Sequence, residues 1–305
     1  MVERRDSLTA RPAHHRRDIQ GLRAFAVLAV VVNHAFPDLL PGGYVGVDVF
    51  FVISGFVITG LIRRGVTSGT FSFTQFYVRR VYRLLPPLAV CVAVTAVLSA
   101  LLVSPVGIQA QSAVTGLAAV FWMSNFSLWY FSSDYFSPHV QMNPFLHTWS
   151  LAVEEQFYLV FPALLVASGA VLARRGRARL GAFAAVGIVS ACSLLLAMAL
   201  TLGWTDVVRG DSFSFYSVVT RFWEFGAGAL LALGVEARRR GPGRITQAAG
   251  VVGLVTLLVT LFSYSELTPF PGYHALVPVV GSVLVILSGP VGPVARLLST
   301  RPAVH

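Results

Sequence analysis

The chain contains no lysine: all 23 of its basic residues are arginines, a bias we attribute to a GC-rich genome. Charge of either sign is scarce. Only 12% of the 305 residues are charged, against roughly 25% in an average soluble domain, which excludes an ordinary water-soluble globule. Cysteine occurs twice, at Cys91 and Cys192, each inside an apolar run. Such residues behave as small buried hydrophobes, so neither a disulfide framework nor a metal site is expected. No small-residue cleavage site follows the first apolar run, which is therefore read as a retained span. Internal repeats and low-complexity tracts are missing too. The net charge of +10 would suit a nucleic-acid binder if the arginines formed a patch. They sit instead in short clusters between apolar runs, so no nucleic-acid partner is expected.

What fills the chain is hydrocarbon: 55% of residues are apolar and the mean hydropathy is +0.72. Apolar runs of about 20 residues recur, each able to cross a core roughly 30 Å thick. The expected spans are 20–37, 44–62, 84–103, 150–173, 181–203, 217–236, 245–264 and 273–289. The fold class is thus an all-α polytopic transmembrane helix bundle of about eight spans, with the lipid bilayer as its solvent. One further apolar segment, 108–130, has to be placed. If it does not cross and the N-terminus is inside, every arginine except Arg209 and Arg221 lies inside. If it crosses, ten of the arginines from 174 onward, all but Arg209 and Arg221, face outward, against the positive-inside rule. The segment is therefore expected as a re-entrant or interfacial helix on the outer side. Residues 1–17 read as a disordered basic cytoplasmic tail beside anionic lipid, and 18–305 as the transmembrane domain.

Polar residues inside spans are costly in lipid, so they guide the search for chemistry. Arg23 and His34 are eleven residues apart, about 1,100° of helical rotation, and share one face roughly 16 Å apart. Asn33 neighbours His34, and Asp48 follows the Gly-rich stretch Gly42-Gly43-Tyr44-Val45-Gly46, within expected reach of His34. The plain alternative is that Arg23 snorkels to headgroups and His34 sits at the interface. A second cluster runs from Asn143-Pro144, an expected helix start, through His147, Trp149, Glu154, Glu155 and Tyr158. His147, Glu154 and Tyr158 fall on one stripe of that helix; the alternative is a hydrogen-bond network joining helices. Third, Arg79, Arg80 and Arg83 lie in a loop ahead of Pro86-Pro87. Their spacing lets all three converge on one anion, unless they only set topology. Arg221 and Glu224, at i, i+3, read as a structural ion pair.

Four stretches together resemble the membrane-bound acyltransferase-3 family of bacterial polysaccharide O-acetylases. They are Asp18-Ile-Gln-Gly-Leu-Arg23 through His34, Gly43-Tyr-Val-Gly-Val-Asp48 through Phe56, Phe76-Tyr-Val-Arg-Arg80-Val-Tyr-Arg83, and His147-Thr-Trp-Ser-Leu-Ala-Val-Glu154-Glu-Gln-Phe-Tyr158. Arg221-Phe-Trp-Glu224 agrees as a weaker fifth. The resemblance implies an integral membrane O-acyltransferase that moves an acyl group, acetyl first, from acyl-CoA to a hydroxyl of an extracytoplasmic glycan. It places the protein in the bacterial cytoplasmic membrane, with acyl-CoA as donor substrate and no permanently bound cofactor. His34 is then the expected base, with Asp48 fixing its tautomer and Glu154 as the third catalytic candidate. Arg80 and Arg83, helped by Arg79 and Arg23, are expected on the CoA phosphates. His147, Trp149, Tyr158 and Asn33 would line the channel or bind the acceptor. Such proteins usually continue into two further spans, and many carry a soluble extracytoplasmic domain, so the chain reads as C-terminally shortened. Intramembrane Glu, His and Arg also suit a proton-coupled transporter, and a shortened chain suits a noncatalytic scaffold.

Overall fold

The computed structural model describes residues 16–102, 107–131, 138–173, 176–204, 210–235 and 243–300. Most of the expected basic tail, together with Arg209 and Arg238 to Arg240, lies outside the described residues. Thirteen α-helices account for most of what is described. In order they are α1 (Arg17–Ala35), α2 (Gly46–Thr67), α3 (Phe73–Leu102), α4 (Ile108–Val120), α5 (Ser124–Phe131), α6 (Pro138–Gln141), α7 (Thr148–Ala173), α8 (Ala178–Thr201), α9 (Gly210–Tyr216), α10 (Val218–Val235), α11 (Arg244–Ser263), α12 (Leu276–Leu287) and α13 (Pro293–Leu298). No strand occurs among the described residues, so the molecule is an all-α bundle. Six helices, α2, α3, α7, α8, α10 and α11, are long and apolar enough to cross a membrane. α1 and the shorter apolar stretch Tyr273–Leu287 occupy the first and last expected span positions.

The bundle has a chemically marked end. There Arg16 reaches the Ile286 carbonyl at 3.3 Å, Arg63 the Ala232 carbonyl at 3.0 Å, and Arg179 the Leu233 carbonyl. Each guanidinium satisfies carbonyls that a helix C-terminus leaves without intrahelical partners. Loops, α5 and α9 gather at the opposite end, where the Gly42 amide donates to the Leu261 carbonyl at 2.9 Å.

Segment 108–130 is broken into α4 and α5, neither of spanning length. At the break Trp122 adopts φ +56°, a left-handed conformation that costs a side-chain-bearing residue energy. Gln156 of α7 holds it in place, donating to the Trp122 carbonyl at 2.8 Å and to Asn125 at 2.9 Å. Two expected boundaries are corrected. α3 begins at Phe73, not near 84, so the arginine loop is the first part of a long helix and Pro86 and Pro87 lie inside it. Ser72 starts that helix, its hydroxyl taking the Gln75 amide, and Phe71, Phe73 and Phe76 pack around the first turn. α7 begins at Thr148, not at Asn143-Pro144. The Asn143 side chain accepts the Phe145 amide at 3.0 Å and shapes a turn ahead of the helix.

At the centre α2 packs on α10, and α10 also on α8. The α2–α10 crossing is close because glycine stands on both sides of it. A Cβ on Gly55 would strike the Phe225 carbonyl, and one on Gly228 the Val52 carbonyl. Small residues that let backbones approach are the usual means of helix association in lipid, where the hydrophobic effect offers no drive. Gly55→Leu is expected to cost about 3 kcal/mol or more of stability by overpacking. Gly60→Ala on the same helix, where a Cβ meets only an Arg64 side-chain atom at 3.5 Å, should be tolerated. Thermal unfolding of both variants in detergent checks the contrast.

Candidate active site

Most of the expected site residues fall into two polar groups. One, the column, is aligned along α1, α2, α3 and α7 as a histidine pair and, farther along α7, a chain of contacts from Ser54 to Arg80; the other is a sealed charge cluster between α2 and α10.

The column begins at the loop-rich end with two histidines. His34, exposed in the last turn of α1, lies with Nδ1 2.8 Å from the Val30 carbonyl. A carbonyl can only accept, so Nδ1 carries the hydrogen and the neutral ring keeps its basic pair on Nε2. The backbone therefore fixes the tautomer. Asp48 does not, contrary to the sequence expectation. His147 sits in the turn before α7, its ring beside the Pro144 carbonyl and its Nε2 3.9 Å from the Cys91 sulfur. Although His147 keeps contact with solvent, the protein packed around its ring, with the His34 charge as a second cause, holds its pKa below the ordinary histidine value. The two imidazoles are thus near enough to feel one another. Asn33 is committed elsewhere, its amide donating to the Leu40 and Pro41 carbonyls at 3.0 and 3.2 Å.

Deeper in the column, Glu154 accepts from the Ser54 hydroxyl and from the Tyr158 hydroxyl at 2.5 Å. Glu155, the next residue, is turned about 100° around the helix and faces α3. Its carboxylate takes both arms of Arg80, at 2.7 and 3.3 Å. The same guanidinium lies over the Tyr158 ring, 3.4 Å from its centroid. Ser54, Glu154, Tyr158, Arg80 and Glu155 therefore form one continuous chain of contacts across α2, α7 and α3. The structure joins Glu154 with Tyr158 as the helical spacing predicts. His147 is not part of that group, because its turn precedes the helix.

The three arginines of α3 do not converge. Only Arg80 points inward; Arg79 is exposed and bonds back to the Gln75 carbonyl at 3.1 Å, and Arg83 is exposed. Arg23 is half-buried on α1 and makes no ion pair among the described residues. Also among the described residues, no group of three or more His, Cys, Asp or Glu side chains is placed to hold a metal ion.

Asp48 belongs to the second constellation. Arg221 on α10 pairs with Glu224 at 2.8 Å and with Asp48 at 3.4 Å, and all three side chains are essentially inaccessible. Phe51, Trp149, Phe215 and Phe270 ring the guanidinium with centroids 5.3 to 5.8 Å away. Trp149 is thus part of this cage, packed on Phe215 at 4.7 Å. The expected Arg221–Glu224 pair is present; its union with Asp48 is new. Two residues of the column were missed from sequence. Ser54 offered a signal, a hydroxyl inside an apolar span beside glycine. Cys91 offered none beyond its residue type.

A scan against family models matches residues 16–297 to the acyltransferase domain designated Acyl_transf_3. The chain belongs to this acyltransferase family. Over 304 residues it is 30% identical to "Putative peptidoglycan O-acetyltransferase YrhL" of Bacillus subtilis (strain 168), covering 95% of this chain and 46% of that protein. Over 150 residues it is 41% identical to "O-acetyltransferase OatA" of Staphylococcus aureus (strain NCTC 8325 / PS 47), covering 48% of this chain and 24% of the relative. The chain therefore spans about half, or less, of the length of the curated relatives it matches. No solved structure matches it. With its apolar helices, the match makes this a multi-pass membrane protein of an acyltransferase family, and the transporter alternative falls away.

Removing one partner from a buried charge cluster leaves the others uncompensated, at roughly 3–5 kcal/mol. Arg221→Met strands two carboxylates in an aromatic cage and is expected to lose that much stability. Glu224→Gln leaves one carboxylate for one guanidinium and should lose clearly less. Thermal unfolding of the two variants in one detergent checks the order.

Proposed function

We propose that this chain transfers an acyl group, acetyl first, from acyl-CoA at the arginine-rich end to a hydroxyl of an envelope glycan at the opposite end. The carrying observation is the polar column itself, which leads from Arg80 through Glu155, Tyr158 and Glu154 toward His147 and His34. Nothing in apolar packing calls for such a line of groups, and each costs energy in hydrocarbon. The arginine clusters support, by the positive-inside rule, a reading with the marked end and the N-terminus in the cytoplasm and the protein in the bacterial cytoplasmic membrane. The name of the YrhL relative supports peptidoglycan as the first acceptor to try, among the envelope glycans.

Arg80 is the donor's inner anchor, because a guanidinium fork fits phosphate oxygens two at a time. Arg83 and Arg79, exposed on the same helix, and Arg23 on α1 add positive field at that end. The thioester arm then extends along the column toward the histidines. His34 Nε2, left basic by the Nδ1 bond to Val30, takes the proton of the acceptor hydroxyl as its oxygen attacks the thioester carbonyl. The C–S bond breaks, the acyl group stays on the acceptor oxygen, and the CoA thiolate leaves to be protonated. Glu154, held by Ser54 and Tyr158, lines the route between the two ends, and His147 borders the acceptor beside His34. Asp48, Trp149 and Asn33 act at one remove: the first two through the Arg221 cage, the third by shaping the loop after α1.

General-base catalysis contributes about 10²–10⁴-fold, so His34→Ala is expected to lose acyl transfer by that factor with the protein still in the membrane. The assay is transfer of label from radiolabelled acetyl-CoA to envelope glycan in membranes. Full transfer by correctly inserted His34→Ala would remove the base from this account.

A further inference from the structure

Arg80 is the only α3 arginine that enters the bundle, yet its two-armed fork is already filled. Glu155 holds it at 2.7 and 3.3 Å, with the carboxylate side chain 4% and the guanidinium 20% exposed. This geometry is the one a phosphate would take: two near-parallel bonds to the oxygens of an anion. Behind the fork lies the Tyr158 ring, and the hydroxyl of that same tyrosine donates to Glu154. The helix that carries Arg80 is lightly tied. Of its residues only Phe76, Leu88 and Ser99 are buried. Among the described residues its polar attachments to the bundle are the Arg80 pair, the Tyr77 hydroxyl on the Leu159 carbonyl at 2.8 Å, the Gln109 amide on the Ser99 carbonyl at 3.5 Å, and the Cys91–His147 contact.

We infer that Glu155 is a positioning residue that occupies the donor's phosphate site on Arg80, so that a CoA phosphate gains Arg80 only by displacing the Glu155 carboxylate. This rests on the reading of Arg80 as the donor anchor given above. Three consequences follow from the contacts. The pair keeps Arg80 from standing as an uncompensated cation in hydrocarbon when no donor is bound. Exchange of one anion for another on the same fork keeps the charge balance as the donor arrives. Moving Arg80 toward the donor also withdraws it from the Tyr158 ring, and Tyr158 holds Glu154, so donor arrival is felt at the mid-column carboxylate. Glu155 thereby differs from its neighbour Glu154, whose partners are hydroxyls and not a cation.

The test is equilibrium binding of radiolabelled acetyl-CoA to the detergent-purified membrane protein, alongside steady-state transfer. Glu155→Gln removes the competing charge and is expected to tighten donor binding about fivefold or more, the scale of one partly buried ion pair. The same variant should lower KM for the donor more than it changes kcat, a split that a merely structural role would not produce. Glu155→Asp keeps the charge and should stay near the wild-type affinity. Arg80→Ala should lose binding. Weaker or unchanged binding by Glu155→Gln, with Arg80→Ala impaired, would overturn the displacement and leave the donor site standing. Unchanged binding by Arg80→Ala would overturn the donor site itself. A measurement on the unaltered protein guards against a variant that does not fold. Dicyclohexylcarbodiimide labelling of Glu155, read by peptide mass spectrometry with Glu154 as internal comparison, should rise when coenzyme A is added. Constant or falling labelling contradicts the inference.

Discussion

Every charge in this bundle that leaves water must find an opposite charge or a full set of hydrogen bonds, because hydrocarbon supplies neither. The architecture follows from that pairing constraint more than from shape. At the arginine-rich end the guanidinium groups of Arg16, Arg63 and Arg179 cap helix carbonyls. Deeper in, two different solutions appear. Arg221 is sealed with two carboxylates in a ring of aromatics, far from any exchange with solvent. Arg80 is paired with a single carboxylate on a loosely buried helix. The proposed function uses the first solution as scaffold and the second as site.

The scaffold has a further physical requirement, close backbone approach. Gly55 and Gly228 let α2 and α10 touch, and that contact brings Asp48 within range of Arg221. It also fixes the face of α2 that carries Ser54, and Ser54 in turn holds Glu154 against α7. The charge cluster and the column are therefore coupled through one helix without sharing a residue. Such an arrangement allows a closely packed α2–α10 core to carry a less buried α3, the element that bears Arg79, Arg80 and Arg83.

Much of this was legible in the sequence. The all-α class and the approximate positions of the long helices follow from apolar run length, whereas the break of 108–130 at Trp122 has no signature in either run length or arginine placement. Glu154 and Tyr158 were joined correctly because their spacing is a property of one helix. The misreadings have a common cause. Asp48 was assigned to His34, the nearer polar residue along the chain, whereas its partner Arg221 lies on a helix brought alongside by glycines that spacing arguments do not pair. The Val30 carbonyl that fixes the His34 tautomer is a backbone group and has no signature in residue type. α3 starts ahead of its apolar run, because run length marks only the stretch that suits lipid, while the Ser72 cap and the aromatic first turn extend the helix back across the arginines. His147 was put on the α7 stripe because Asn143-Pro144 reads as a helix start, while the Asn143 side chain in fact closes a turn first.

The central claim is that donor and acceptor meet through a column that connects opposite ends of the bundle, and vectorial transfer tests it most directly. Sealed membrane vesicles of known orientation would receive acetyl-CoA on one side only and glycan acceptor on the other. The account predicts labelled glycan when the donor faces the Arg80 end and the acceptor faces the His34 end, and none when the two are exchanged. Transfer with donor and acceptor both confined to the His34 side would contradict it, because the chemistry would then need no route through the bundle.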